Sequence, residues 1–168
     1  SISAQNVARK CVLVEAFTGI NCGYCPAAAG GIGEMVRQGL SVAPLAFHCD
    51  YYTPDDKDYS TSETESRGSS FYKVRTYPTV IIDGVSSPAV GGTASQYMSS
   101  YTKLKAEYDK RINVESPFEL ELTFEYDSWN KCRAKAVVKK VGECSSNDVR
   151  VFIALTESHV PQNWGGWS

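Results

Sequence analysis

Residues 10–38, KCVLVEAFTGINCGYCPAAAGGIGEMVRQ, decide the fold of this chain. The run at 11–17 is apolar except for Glu15, a pattern typical of a strand buried on both faces of a parallel sheet. A helix is predicted over about 22–39, because apolar residues recur there at helical spacing. The Cys22-Gly23-Tyr24-Cys25 sequence therefore falls on a strand-to-helix corner, which predicts a redox dithiol at that position.

Strands and helices continue to alternate after this corner. Residues 43–50 form a second apolar run, and the helix that separates it from the first predicts a right-handed βαβ unit with parallel strands. The acidic stretch 50–67 predicts a polar surface loop that leads into a short helix near 63–74. The pattern is that of a mixed α/β domain.

The end of this domain carries two turn and cap signals. A third apolar run, 77–82, is followed by the hairpin-turn dipeptide Asp83-Gly84, so an antiparallel strand is predicted near 85–91. Thr93 and Gln96 have the spacing of a capping box, which predicts a last helix over 94–111. We expect the first domain to span residues 1–112.

Residues 113–168 have the two-residue period of β-strands. Apolar and charged residues alternate over 118–126 and 132–139, which predicts a hairpin turning at 127–130 with an acidic row beside a basic one. A third strand is predicted over 149–156. Such one-sided strands need a further layer over their apolar face. We therefore expect a partial, β-sandwich-like segment, truncated from a longer protein that would complete it.

Composition limits the classes of partner. The 168-residue chain has a net charge of −2 at pH 7 and a pI near 5.7, which gives no electrostatic basis for binding nucleic acid or an anionic membrane. No apolar run approaches the ~20 residues that a membrane helix requires. Six cysteines fit an oxidising compartment. Proteins or small thiols are the expected partners, with no cofactor and no metal.

A Cys-x-x-Cys pair at a helix N-terminus is reactive for a physical reason. Free backbone N–H groups and the positive end of the helix dipole stabilise a thiolate on the first sulfur, so Cys22 is the predicted nucleophile. Cys25, one turn later, would release a mixed-disulfide partner by attacking the bond that Cys22 has made. Pro26 suits the first helical turn, where its missing N–H costs nothing.

Three other interpretations of the cysteine pair compete with that of a redox dithiol. A structural zinc site needs four ligands, and the nearby candidates in the sequence are His48 and Cys49. Haem attachment requires a histidine directly after the second cysteine, where Pro26 stands. An inert structural disulfide is the third alternative, since secreted proteins keep many such bridges.

Four motifs together resemble the thioredoxin superfamily over about residues 10–112. In chain order they are VLVEAF, CGYCP, YPTVIIDG and the VGG that leads into the last helix. The resemblance implies a thioredoxin-like three-layer α/β/α domain. It also implies that Pro78 follows a cis peptide bond and lies against the Cys22 and Cys25 sulfurs, where the backbone of Tyr77 would pair with an extended substrate segment.

A narrower resemblance concerns the cell compartment. The combination VEAFTGINCGYCP is most similar to the thioredoxin-like family of 28-kilodalton outer-membrane-related proteins, which join such a domain to a β-rich part. That similarity implies an exported protein of a Gram-negative bacterium, in the periplasm or associated with the outer membrane, with a lipid anchor upstream as an option. The Gly23-Tyr24 pair resembles that of periplasmic disulfide isomerases, where these positions tune the redox potential.

The sequence departs from thioredoxins at two positions. Asn21 stands where they usually have tryptophan, which removes an aromatic lid from the site. Glu15 lies near the place of their buried acid but one residue farther from Cys22. Two interpretations of Glu15 stay open: an acid that takes the proton of Cys25, and a hydrogen-bonded structural acid.

The remaining histidine and cysteine candidates have weaker signals. His48 is either a core residue or a contact to the site from the neighbouring strand. Cys11 and Cys49 fall at opposite ends of parallel strands, about 20 Å apart at ~3.3 Å per residue, and should not bond to each other. Cys132 and Cys144 flank one predicted strand, and no pairing is assigned to them.

The sequence thus predicts a thiol–disulfide oxidoreductase or isomerase. Cys22 would attack, Cys25 would resolve and Pro78 would shape a groove for protein thiols or disulfides, with a further partner restoring the redox state of the pair. The alternative is a non-enzymatic surface or binding protein that keeps the fold and a structural disulfide. It would use the loop 50–67 for contact, because tyrosines 51, 52 and 59 suit an interface.

Overall fold

The computed structural model describes residues 5–49, 59–126 and 131–158. They divide into two compact units: the first comprises 10–112 with 154–158, and the second comprises 5–9 with 113–153. Residues 5–9 pair with the second unit rather than with the first domain that was expected to include them. The N–H of Gln5 donates to the carbonyl of Val141 at 3.0 Å, and this segment also forms a bridge to residue 116.

A three-stranded sheet organises the first unit. Its central strand, β1 (Val12–Thr18), pairs in parallel with β2 (Val42–His48) and antiparallel with β3 (Thr79–Ile82). The predicted strand at 11–17 and its parallel partner are confirmed. The sheet order β2-β1-β3 places the chain segment that precedes the cysteine pair in the middle of the sheet.

In the part of this unit that the structure describes, three helical segments accompany the sheet. They are α1 (Cys25–Arg37), α2 (Ser62–Glu65), which continues into a π-helical turn (Ser66–Phe71), and α3 (Tyr97–Arg111), which follows a 3-10 turn (Ala94–Gln96). The short helix predicted near 63–74 and the helix predicted over 94–111 are confirmed. The Thr93 N–H donates to Oε1 of Gln96 at 2.9 Å, as a capping box requires.

The two faces of β1 belong to different clusters of buried side chains. Val12 and Val14 pack with Met35 of α1 and Leu104 of α3. Phe17, on the opposite face, packs with a second set of buried residues, which comprises Cys49, Val74 and Ile81. The near-continuous apolar run in the sequence is therefore explained by a strand that is covered on both sides, as the mixed α/β class requires.

Two glycines let α1 and α3 approach closely. A Cβ atom on Gly31 would lie 2.8 Å from the backbone nitrogen of Tyr101, and one on Gly30 would lie 2.7 Å from Cβ of Tyr97. Glycine weakens a helix interior by roughly 0.5–1 kcal/mol relative to alanine. Its presence at both positions is explained by this backbone-to-backbone contact, which fixes α3 beside the first turns of α1.

The antiparallel strand predicted at 85–91 is wrong. Asp83 and Gly84 do turn the chain, with φ of 55° and 71°, and the Val85 N–H donates to the carbonyl of Ile82 at 3.0 Å. Pairing then stops after a single bridge between Ile82 and residue 86. Pro88 follows two residues later and has no N–H to extend the ladder.

The second unit contains the predicted hairpin. Strand β4 (Phe118–Tyr126) pairs antiparallel with β5 (Cys132–Lys140), and the register places Glu119 opposite Lys139 and Glu125 opposite Arg133. These pairs lie 3.6 Å and 3.8 Å apart, so the acidic row does lie beside the basic one. The turn at 127–130 lies outside the described residues.

The third strand predicted over 149–156 is wrong. Residues 149–158 are described and form no strand, and the side chains that alternate there are 52–96% exposed; they are Val149, Val151, Ile153 and Leu155. An alternating pattern predicts which side chains share a face of an extended segment. It does not predict the strand with which that segment forms hydrogen bonds. Across the described ranges, no helix combines the length and the apolar character of a membrane span.

Candidate functional site

Cys22 and Cys25 are joined by a disulfide, with their Cα atoms 5.4 Å apart. Cys25 is the first residue of α1 and is 6% exposed, whereas Cys22 lies in the preceding turn and is half-buried. Tyr24 between them is 69% exposed. The helix thus begins at Cys25 rather than at Cys22, and the more accessible cysteine is the one that the sequence assigns as nucleophile.

The first amides of α1 are already engaged in this oxidised form. The Cys25 N–H donates to the carbonyl of Cys22 at 3.1 Å, and the Ala27 N–H donates to the carbonyl of Gly92 at 3.2 Å. Pro26, between them, has no N–H. The positive end of the helix dipole remains at the pair, but these amides reach a Cys22 thiolate only by exchanging their present acceptors.

Pro78 follows a cis peptide bond, as the resemblance implied. Its ring lies close to the cysteine turn through Gly91, since a Cβ atom on Gly91 would be 2.9 Å from Cγ of Pro78 and 3.3 Å from the carbonyl oxygen of Tyr24. The fold therefore brings Pro78 and the Cys22–Cys25 turn to one place, with the glycine backbone between them.

Glu15 is 1% exposed and is held by two side chains. Nε of Arg67 lies 2.9 Å from Oε1 of Glu15, and the hydroxyl of Tyr72 donates to Oε2. Nη2 of Arg67 also donates to the Tyr72 hydroxyl at 3.1 Å, which closes the triad. These two contacts are what the second interpretation, a hydrogen-bonded structural acid, requires.

The position of Glu15 on the sheet also favours the interpretation as a structural acid. Glu15 and Phe17 are two residues apart on β1 and so share a face, and Phe17 lies in the cluster opposite to the one that packs on α1. Tyr72 packs edge-on against Phe17, with ring centroids 5.8 Å apart. The sheet lies between this face and α1, which begins at Cys25. Transfer of a proton between Glu15 and Cys25 stays a prediction.

Tyr72 gives the triad a pH dependence. Burial, and next the hydrogen bond to the Glu15 carboxylate, raise the pKa of Tyr72 above its ordinary value. A raised pKa stabilises the folded state below the ordinary tyrosine pKa of about 10, and this contribution is lost as the pH rises through the folded-state pKa.

Tyr72→Phe is therefore expected to have a lower free energy of unfolding than the wild-type protein at neutral pH. The difference between the two proteins should become smaller at alkaline pH. Urea unfolding of both proteins between pH 7 and 11 measures the difference. The wild-type protein should be the more stable at pH 7, with the gap shrinking above about pH 10. A gap that stays constant over this range would contradict the assignment.

The other candidate residues have separate environments. The His48 ring is half-buried and lies 5.8 Å from the ring of Tyr59. Sγ of Cys49 is buried and lies 3.5 Å from the carbonyl of Thr64. Free thiols are present at the remaining positions, Cys11, Cys132 and Cys144. Within 5–49, 59–126 and 131–158, no group of three or more His, Cys, Asp or Glu side chains is placed to hold a metal.

Sequence reasoning missed Arg67, Tyr72 and Ser100. Arg67 falls at the end of the acidic stretch that was assigned to a surface loop. One signal could have found it, because a glutamate inside a fully buried strand requires a cation or several donors. Ser100 of α3, 2% exposed, accepts a hydrogen bond from the Gly91 N–H at 3.3 Å, and no motif marks it.

The fold and the site together define a mixed α/β protein with a Cys-x-x-Cys disulfide at a helix N-terminus. No protein-family model and no curated protein matches the chain. Among solved structures it is similar to HBP35 of Porphyromonas gingivalis, with a TM-score of 0.52 and 19% identity over 81% of this chain and 44% of HBP35. At that identity the likeness concerns the fold alone.

A second solved structure is similar over a smaller part of the chain. It is protein AGR_C_4864 from Agrobacterium tumefaciens, with a TM-score of 0.44 and 20% identity over 74% of this chain and 55% of that protein. This chain thus spans about half the length of each of the two solved proteins.

Proposed function

We propose that this protein is a thiol–disulfide oxidoreductase or isomerase with a thioredoxin-like three-layer α/β/α domain. The observation that carries the proposal is the Cys22–Cys25 disulfide at the start of α1, with Cys25 buried and Cys22 accessible. This arrangement lets a partner sulfur reach Cys22 while the resolving thiol stays covered. The closeness of Pro78 to the same turn supports the thioredoxin-like assignment.

The reaction follows from the two roles. In the reduced protein, the Cys22 thiolate attacks one sulfur of a partner disulfide, the partner S–S bond breaks, and the sulfur that leaves as a thiolate takes up a proton. The Cys25 thiol then loses its proton and attacks Cys22 in the mixed disulfide. The Cys22–Cys25 bond forms and the second partner thiol leaves, so two electrons pass from the protein to the partner.

The same steps run in reverse oxidise a partner dithiol. The direction is set by the reduction potentials of the Cys22–Cys25 pair and of the partner that restores it. The proposed partners are protein thiols or disulfides together with such a redox partner. The proposed location is extracytoplasmic, in the periplasm or at the outer membrane of a Gram-negative bacterium, where disulfides persist.

Exchange with a disulfide-linked fluorescent peptide tests the proposal. The reduced wild-type protein should cleave the peptide faster than an equal concentration of a simple dithiol, and Cys22→Ser should abolish the excess rate. Cys11→Ser is the matched control, because Cys11 is an exposed free thiol outside the turn. A wild-type rate equal to that of the simple dithiol, or an unchanged rate in Cys22→Ser, would reject the proposal.

A second function, a binding protein with a structural disulfide, is favoured by one observation. The amides of Cys25 and Ala27 already have carbonyl acceptors, so the oxidised turn is well satisfied as it stands. Such a protein would show no exchange beyond the simple dithiol. Its proposed contact loop, 50–67, lies largely outside the described residues.

A further inference from the structure

Gly91 and Gly92 lie between α3, Pro78 and the cysteine turn. On the α3 side, the Gly91 N–H donates to the hydroxyl of Ser100 at 3.3 Å, and Ser100 is 2% exposed. A buried hydroxyl that accepts from a backbone amide restrains the position of that amide, because the hydroxyl is shielded from water. The α3 helix thus holds one end of this glycine pair.

The other end is held by the first turn of α1. The Gly92 N–H donates to the carbonyl of Tyr24 at 2.8 Å, and the Gly92 carbonyl accepts from the Ala27 N–H at 3.2 Å. This reciprocal pair of hydrogen bonds joins Gly92 to the backbone on both sides of Cys25. The connection from Ser100 to the turn therefore consists of one side-chain hydrogen bond to Gly91 and two backbone hydrogen bonds of the adjacent Gly92.

The geometry strongly favours glycine at these two positions. Gly91 and Gly92 have φ of +132° and +138°, which side-chain-bearing residues rarely adopt. A Cβ atom on Gly91 would lie 2.9 Å from Cγ of Pro78, and one on Gly92 would collide with the Gln96 side chain. Movement of the glycine pair would therefore change the distance between Pro78 and the cysteine turn.

We infer that Ser100 is a positioning residue, which acts through Gly91 and Gly92 to hold the Cys22–Cys25 turn beside Pro78 and to set the redox potential of the pair. The catalytic relevance of the inference rests on the proposed function; the effect on the disulfide does not. Ser100 itself contacts Gly91 and acts on the sulfurs through the backbone.

The direction of the effect follows from what the glycine pair binds. The Gly92 hydrogen bonds brace the turn in the oxidised form, so their loss weakens the disulfide relative to the dithiol. Their loss also frees the Ala27 amide to approach a Cys22 thiolate, which stabilises the reduced form. Both changes favour the dithiol and make the reduction potential less negative.

Equilibration of the Cys22–Cys25 pair with glutathione redox buffers tests the inference. Gly91→Ala is expected to shift the equilibrium about tenfold toward the dithiol, ~30 mV for a two-electron couple. Ser100→Ala, the milder variant, is expected to shift it severalfold in the same direction. Alkylation of Cys22 at pH 7 should be faster in both variants than in the wild-type protein.

Two control variants separate this role from a structural one. Ser99→Ala removes a neighbouring hydroxyl of α3 that is exposed. Gly39→Ala places a side chain at φ of +70° with no atom within 4 Å of its Cβ, so it strains the backbone away from the turn. Both controls are expected to change thermal stability at most and to keep the wild-type potential.

The inference is overturned if Ser100→Ala and Gly91→Ala fold and keep the wild-type potential, or if the controls shift it equally. These results are independent of the proposed function, because any disulfide has a measurable potential. Failure of the proposed function appears instead as a wild-type exchange rate no greater than that of a simple dithiol.

Discussion

Arg67→Ala is expected to lower the free energy of unfolding by about 3–5 kcal/mol, the usual cost of removing one partner of a buried ion pair. Among the described residues, the Tyr72 hydroxyl would remain as a partner of the Glu15 carboxylate, which is 1% exposed. It would also remove the guanidinium that stacks over the rings of Phe71 and Tyr72, at 4.5 Å and 4.8 Å from their centroids. Urea unfolding at pH 7 measures the loss.

A surface ion pair is the matched control for this prediction. Nζ of Lys105 lies 2.6 Å from Oδ2 of Asp109, but the pair is at the surface, with side chains 39% and 54% exposed. Lys105→Ala is therefore expected to cost less than about 1 kcal/mol. If Arg67→Ala costs no more than Lys105→Ala, the triad of Glu15, Arg67 and Tyr72 does not stabilise the sheet.

Removal of the acid separates the two interpretations of Glu15. Glu15→Gln leaves Arg67 beside a neutral partner and should destabilise the fold, while the pH profile of thiol exchange should keep its shape, because the acid faces away from α1. A changed profile in a folded Glu15→Gln protein would instead support proton transfer with Cys25.

Cys25→Ser is expected to accumulate a mixed disulfide by attack of Cys22 on a partner disulfide, whereas Cys22→Ser should form none at this site. Without Cys25 the bond formed at Cys22 has no resolving thiol, and so the complex persists. Without Cys22 the remaining cysteine of the pair is covered, at 6% exposure. Non-reducing gel electrophoresis after incubation with a disulfide-linked peptide detects the complex.

The asymmetry is the informative part of this experiment. Cys11→Ser in the Cys25→Ser background is the control, since Cys11 is an exposed thiol able to form adventitious complexes. Trapping that persists in this double variant is not due to Cys11, and it is assigned to Cys22 if it disappears when Cys22 is also replaced by serine. Equal trapping by Cys22→Ser and Cys25→Ser would contradict the assigned roles.

The elements that were predicted correctly are those whose structure follows from a local sequence pattern. The apolar run at 11–17 determines a strand covered on both faces, and Thr93 with Gln96 determines where the last helix begins. The register of β4 and β5 follows from rows of opposite charge. Each of these patterns involves neighbours along the chain or one directly opposite strand.

The errors arise where a local pattern does not determine which strand pairing forms. Residues 149–156 have strand periodicity but no ladder in the described structure, and the hairpin after Asp83-Gly84 ends before Pro88. The site shows the same limit. Cys22, Cys25 and Pro78 are recognisable as motifs, whereas Arg67 and Ser100 matter through contacts with residues 52 and 9 positions away.

The reduction potential of the Cys22–Cys25 pair tests the central claim most directly. It is measured by equilibrating the full chain with glutathione or dithiothreitol buffers and counting free thiols at Cys22 and Cys25 by mass spectrometry. An exchange-active pair is predicted to have a potential well above about −300 mV. A pair that stays oxidised below about −300 mV would be a structural disulfide and would contradict the proposed function.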